Sequence, residues 1–145
     1  MKDVSRTFTD QGTFSDVNSQ GRTKLFKILK AYSQVDEKVG YMQGMNFIAG
    51  LVLLNIQHEE PAFLIFTSIM QKDNWSRLYI DETPKLFELV YKVKLYIVLK
   101  LPELDKHFLK KSIVLEALLA SPFFTLFSNL IDLDSSNRVL ERFLL

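Results

Sequence analysis

Two short stretches of this sequence carry polar side chains at spacings that could act on a phosphate. In the first, Asp3-Val4-Ser5-Arg6-Thr7-Phe8, an aspartate stands three residues before an arginine. An Asp within reach of an Arg fixes the direction of the guanidinium, and a fixed guanidinium is the better ligand for phosphate oxygens. The same pair also reads as a solvated ion pair of little energetic consequence. In the second, Gly40-Tyr41-Met42-Gln43-Gly44-Met45-Asn46, a glutamine sits between an aromatic residue and a glycine, just ahead of an apolar run. Gly44 lets another backbone or a ligand approach closely, and a helix N-terminus behind it offers free N–H groups and a positive dipole end. The Gln43 amide can there hold a water or a backbone group. Taken alone, the stretch reads equally as a glycine turn with an exposed glutamine.

The elements that must position these stretches are helices. The first twenty residues show no clean period and read as irregular, exposed chain. From Arg22 the apolar residues Leu25, Ile28, Leu29 and Tyr32 recur at helical spacing, with Ser19 as a fitting N-cap. Gly40 to Gly44 interrupts this pattern. Phe47 to Ile56, apolar on nearly all sides, predicts a buried helix. A helix from about Glu60 to Gln71, with Pro61 in its first turn, comes next, followed by a polar connection from Lys72 to Glu82. Thr83-Pro84 opens a long amphipathic helix with Leu86, Leu89, Val90, Val93 and Ile97 in one stripe, and Pro102 ends it. Short helices are expected around Leu104 to Leu109 and from Ser112 to Ala120. Ser121-Pro122 then reads as N-cap and N1 of a helix through Ile131. Asp132 to Asn137 reads as a polar break before a last amphipathic segment. Nothing reads as a strand for longer than a few residues. The expected class is all-α, in one domain over residues 1–145.

Composition narrows the function. Among 145 residues, 48% are apolar and 24% charged, as in ordinary globular chains, and the net charge is only +1. No strong field therefore draws the chain toward nucleic acid or an anionic membrane. The sequence has no cysteine, which excludes disulfides, a thiol nucleophile and cysteine-bound metal. Met1 to Asp10 holds no secretory apolar core, and the run Phe47 to Leu54 is far short of the roughly 20 residues that cross a bilayer. A soluble, cytoplasmic domain without direct membrane insertion is expected.

Together, the two stretches resemble the signatures of the TBC domain, the family of Rab GTPase-activating proteins. Asp3-Val4-Ser5-Arg6-Thr7-Phe8 is similar to its first signature, Asp-x-x-Arg-Thr followed by Phe or Tyr. Tyr41-Met42-Gln43-Gly44-Met45-Asn46 is similar to its second, Tyr-x-Gln-Gly-Met-Asn. Five fixed residue types at about one in twenty each recur by chance roughly once in a few million positions, so the second signature is the more specific. Ser121-Pro122-Phe123-Phe124-Thr125-Leu126-Phe127 resembles a later TBC segment, with Phe123 where tryptophan is common. Thr9 stands where proline often follows the first signature.

The resemblance implies stimulation of GTP hydrolysis on a GTP-bound Rab-type partner by two groups given in trans. Arg6 would neutralise charge on the phosphates and Gln43 would orient the attacking water, while Asp3, Thr7, Tyr41, Gly44 and Asn46 shape the segments that carry them. The chain itself would need no cofactor or metal, because GTP and Mg²⁺ travel with the partner, and Rab binding would bring it to the periphery of endomembranes. A TBC-like module that binds a GTPase or another protein without accelerating hydrolysis is the rival reading. Family domains are usually longer, so the resemblance also implies a domain incomplete at both ends, with apolar helix faces left exposed.

The remaining chemistry-bearing residues read as structural. His58 and His107 lack ligand-type neighbours at metal spacing. Glu59-Glu60 favours a helix N-terminus, and Lys92, Lys94 and Lys100 form a solvated face. Trp75 reads as local packing, and Phe123 to Phe127 as core.

Overall fold

The computed structural model describes residues 2–16 and 19–145, and residues 1, 17 and 18, part of the stretch expected to be irregular, lie outside the described residues. Among the described residues there are α-helices and 3₁₀ segments but no strand. The all-α expectation therefore holds. The helices are α1 (Gly12–Ser15), α2 (Gln20–Val35), α3 (Met45–Ile56), α4 (Glu59–Gln71), α5 (Pro84–Lys100), α6 (Pro102–Lys110), α7 (Leu115–Phe124) and α8 (Leu133–Leu144). Two 3₁₀ segments, Lys2–Arg6 and Lys72–Leu78, complete the regular structure.

Helix α3 is the centre. Met45, Ile48, Ala49, Leu51, Val52 and Leu53 are all buried, as a helix apolar on every side requires. It packs between α2 and α4. Leu25, Ile28, Leu29 and Tyr32 of α2 and Phe66, Ile69 and Met70 of α4 close over it, with Tyr32 meeting Phe66 edge-on at 5.1 Å. Ser19 caps α2 by accepting from the Arg22 N–H. Pro84 opens α5, whose Leu86, Val90 and Ile97 are buried. The other side of α5 is also apolar, and Phe87, Tyr91 and Leu99 are exposed there.

Four expectations are corrected. The described part of the first twenty residues is irregular, exposed chain only in part: Lys2–Arg6 and α1 are helical, and Val4, Thr7 and Phe14 are buried. These turns are too short to show a period, and they are held by tertiary contacts such as the Arg22 Nε–H donating to the Phe14 carbonyl at 2.7 Å. The polar connection after Gln71 is in part core, because Trp75, Leu78 and Tyr79 are buried. Asp73 and Asn74, both left-handed at φ 49° and 56°, turn the chain inward there.

Ser121-Pro122 does not start a helix. Helix α7 runs through Pro122 and ends two residues later at Phe124, the proline having no N–H to give the carbonyl four residues back. The chain then reverses through Leu126 and Phe127, at φ 49° and 65°. Asp132 to Asn137 is no break either. Asp132 accepts from the Ser135 N–H at 2.9 Å and so caps α8; a polar run headed by an N-cap aspartate starts a helix.

Candidate functional site

The two signature stretches lie on separate elements, and buried polar contacts bind them together. The first runs through the 3₁₀ segment Lys2–Arg6 into Thr7 and Phe8. It rests on α3 because Gly50 has no side chain: a Cβ there would stand 2.9 Å from Thr7 Cγ2 and 3.1 Å from Phe8. The second is the loop before α3, with Gly44 at the N-cap position and Asn46 in the first turn.

Asp3 and Asn46 are the junctions. One Asp3 carboxylate oxygen pairs with the Arg6 guanidinium. The other accepts from Tyr41 Oη at 2.7 Å. Thr7 Oγ1 donates to the Asp3 carbonyl at 2.7 Å and accepts from Asn46 Nδ2 at 2.9 Å. Asn46 Oδ1 accepts from the Gly44 N–H at 3.0 Å and lies 3.4 Å from Tyr41 Oη. The Tyr41 hydroxyl has one proton, and the shorter contact shows that it goes to Asp3. Because the Gly44 N–H needs an acceptor, the Asn46 oxygen must face it, which turns the amide nitrogen to Thr7. Burial, then the Asp3 hydrogen bond, push the Tyr41 phenol above its ordinary range, with Arg6 opposing. The hydroxyl therefore remains a donor.

Gly44 is required twice over. Its φ is +106°, and a Cβ would lie 2.7 Å from the Phe124 carbonyl oxygen. That oxygen accepts from Tyr79 Oη at 2.6 Å, so the end of α7 is fixed where the loop leans on it. Tyr79 and the Phe124 carbonyl are supports that the sequence reading missed. The one available signal was the run Leu78-Tyr79-Ile80, with Trp75, within a mostly polar connection.

The frame is enclosed, while the side chains of Arg6 and Gln43 point outward. Thr7 and Asn46 are fully buried. The Arg6 side chain is 56% exposed, and Gln43 is exposed. Arg6 borders a recess of about 280 Å³ and Gln43 a groove of about 660 Å³, and both are lined by Phe47 and Asn129. The two side chains thus open onto adjoining recesses. A guanidinium with one edge on Asp3 keeps further N–H donors for an anion.

The residues read as structural behave so. His58 and His107 are exposed, and Glu59 and Glu60 occupy the first turn of α4. Lys92, Lys94 and Lys100 are exposed, with Lys92 on Glu88 at 2.6 Å. Trp75 packs edge-on against Phe143 at 4.7 Å. Phe123 and Leu126 are core, and Phe124 and Phe127 are half-buried. None of the helices is long and apolar enough to cross a membrane, among the described residues.

Comparison with known proteins gives the family. The human Ecotropic viral integration site 5 protein homolog is 34% identical over 143 residues, covering 99% of this chain and 18% of that protein. The Caenorhabditis elegans Rab GTPase-activating protein eat-17 is 33% identical, covering 99% of this chain and 16% of its own length. Mouse TBC1 domain family member 4 is 33% identical, covering 97% of this chain and 11% of its own. The chain thus spans less than a fifth of the length of these relatives. Residues 1–145 match the family model of the Rab-GTPase-TBC domain. With its helical fold and both signatures in place, the chain belongs to the Rab-GTPase-TBC domain family.

Proposed function

We propose that this chain stimulates GTP hydrolysis by a Rab-family GTPase in its GTP-bound form, with Arg6 and Gln43 reaching the partner's nucleotide. The observation that carries this reading is the contrast within the site: two exposed polar side chains stand on segments cross-braced by the half-buried Tyr41–Asp3 and the buried Asn46–Thr7 hydrogen bonds. Membership in the family, and a relative named as a Rab GTPase-activating protein, support the choice of partner.

Small GTPases hydrolyse GTP slowly because charge on the transferring phosphoryl group is poorly stabilised and the attacking water poorly held. An arginine given in trans can be worth about 10³ to 10⁵ in rate. Arg6, aimed by Asp3, neutralises developing charge on the phosphate oxygens. Gln43, on a loop fixed by Gly44 and Asn46, holds the water in line. This is positioning plus electrostatics, and GTP with its Mg²⁺ comes with the partner. The chain therefore works where its Rab partner resides, at the periphery of endomembranes.

The test is single-turnover phosphate release from a panel of GTP-loaded Rab GTPases. Arg6→Ala and Gln43→Ala should each lower the stimulated rate at least about a hundredfold, with helical circular dichroism unchanged. Full stimulation by either variant would refute the assignment. Binding of GTP-loaded Rab without any acceleration would identify a binding module instead.

A further inference from the structure

Thr9 carries a hydroxyl that the fold does not use. It is exposed, and neither its N–H nor its side chain makes a hydrogen bond among the described residues. Its place is nevertheless fixed. Phe8, just before it, stands at φ 46° with its ring edge-on to Phe47 at 5.6 Å. The Gln11 N–H then closes the turn by donating to the Phe8 carbonyl at 2.9 Å. This turn brings Thr9 beside the arginine three positions earlier, and both border the recess of about 280 Å³. No lysine and no other arginine borders it, among the described residues. Its two acids, Asp10 and Asp132, are turned to other donors: Asp10 accepts from the Gln11 amide at 3.0 Å, and Asp132 from the N–H and hydroxyl of Ser135.

We propose that Thr9 is a phosphorylation site and that its phosphate captures Arg6. An arginine three residues ahead of an exposed hydroxyl is the kind of charge pattern by which basophilic protein kinases select substrates. In the transfer, Thr9 Oγ1 forms a bond to the terminal phosphorus of ATP and the bond from that phosphorus to the bridging oxygen breaks. ADP leaves, and the hydroxyl proton passes to a carboxylate base of the kinase. The new group carries a charge of about −2 and three acceptor oxygens. Arg6 has one edge on Asp3 and keeps further N–H donors, which suit a phosphate in a two-pronged pair. Asp10 and Asp132 repel the phosphate, which leaves Arg6 as the one group on the recess that attracts it. The consequence, though not the site, rests on the activator reading above. An arginine held by Thr9 phosphate no longer reaches the partner's nucleotide, so phosphorylation switches stimulation off while the buried Asn46–Thr7 brace stays intact.

The site and its consequence are read separately. The parent chain and Thr9→Ala are incubated with ATP labelled on its terminal phosphate and a panel of purified basophilic protein kinases. Label should enter the parent at Thr9, located by peptide mass spectrometry, and Thr9→Ala should lose it. Phosphothreonine is then incorporated at position 9 during synthesis, with and without Arg6→Ala, and titrated by phosphorus NMR. Its second ionisation should lie at least about 0.5 pH unit lower with Arg6 present, because the guanidinium favours the dianion; Asp3, Asp10 and Asp132 are common to both chains. Single-turnover hydrolysis by the responsive member of a panel of GTP-loaded Rab GTPases should be stimulated at least about tenfold less by the phosphorylated chain. Thr9→Ala should match the parent, with circular dichroism verifying the fold of each. Absence of label at Thr9 with every kinase would overturn the modification site. An ionisation unmoved by Arg6→Ala, or full stimulation by the phosphorylated chain, would overturn the capture. If the parent stimulates no Rab GTPase, the activator reading fails, while labelling and titration still decide the site.

Discussion

Replacing Asn46 by alanine tests the frame at its most enclosed point. The amide is fully buried. Truncation leaves the Gly44 N–H without its 3.0 Å acceptor and removes the 2.9 Å bond to Thr7. Thr7 and Tyr41 suffer less, because each still donates to Asp3. One stranded buried donor costs about 1–3 kcal/mol and one lost hydrogen bond about 1 kcal/mol. The sum is a destabilisation of about 2–4 kcal/mol. For a chain of this size that lowers Tm by about 5–15 °C. Urea unfolding followed by circular dichroism measures it. Asn46→Asp sharpens the test: it keeps an acceptor for Gly44 but turns a second acceptor toward Thr7 Oγ1, whose proton is already given to Asp3, and buries a charge. It should be no more stable than the alanine variant. A loss below about 0.5 kcal/mol for Asn46→Ala, or rescue by Asn46→Asp, would refute the hydrogen-bond assignment.

Two further perturbations follow from the same geometry. Gly44→Ala should cost about 3 kcal/mol or more, since it combines a left-handed φ with a Cβ 2.7 Å from the Phe124 carbonyl oxygen; a urea midpoint within error of the parent would show that the loop shifts freely. The phenols of Tyr32, Tyr41 and Tyr79 are held above their ordinary range, chiefly by burial. Their folded forms keep a proton that the unfolded chain loses from about pH 10, so stability should be level below that pH and fall above it. Each such phenol contributes up to about 1.4 kcal/mol per pH unit, and Tyr79→Phe should flatten the fall. A parent chain equally stable at pH 9 and pH 11 would refute the burial argument.

How much of this was legible in the sequence depended on length of pattern. Helices α2 and α5 show three or more turns of period and α3 is apolar on nearly all sides, and their buried residues, from Leu25 to Ile97, follow these patterns. The segments around the site carry no such signal. The 3₁₀ turn Lys2–Arg6 is too short for one, and Tyr79 buries itself from a stretch whose other residues are mostly polar. Pro122 and the run after Asp132 were misread because a local rule has two outcomes: proline can open a helix or ride in its last turn, and Asp-Ser-Ser-Asn can interrupt a helix or begin one. At the end of α7 the Phe124 carbonyl is held by a distant residue, Tyr79, whereas α8 is started locally by the Asp132 cap on the Ser135 N–H. The type and spacing of Asp3, Arg6, Tyr41, Gln43 and Asn46 were legible; that Asp3 bonds Tyr41, 38 positions away, was not.

Asp3 divides its carboxylate, one oxygen to Arg6 and the other to Tyr41. The direction of the arginine is therefore set jointly by its own turn and by the loop that carries the glutamine. An exposed ion pair by itself stabilises little, so the Asp3–Arg6 pair matters as a matter of aim. Tyr41 fixes Asp3, Asn46 binds Thr7 and Gly44, and Gly44 leans on a carbonyl that Tyr79 holds. Every link in this chain except the two outermost side chains is buried or half-buried. On the activator function proposed above, a site arranged in this way loses little entropy when the Rab partner arrives, because only Arg6 and Gln43 remain to be ordered.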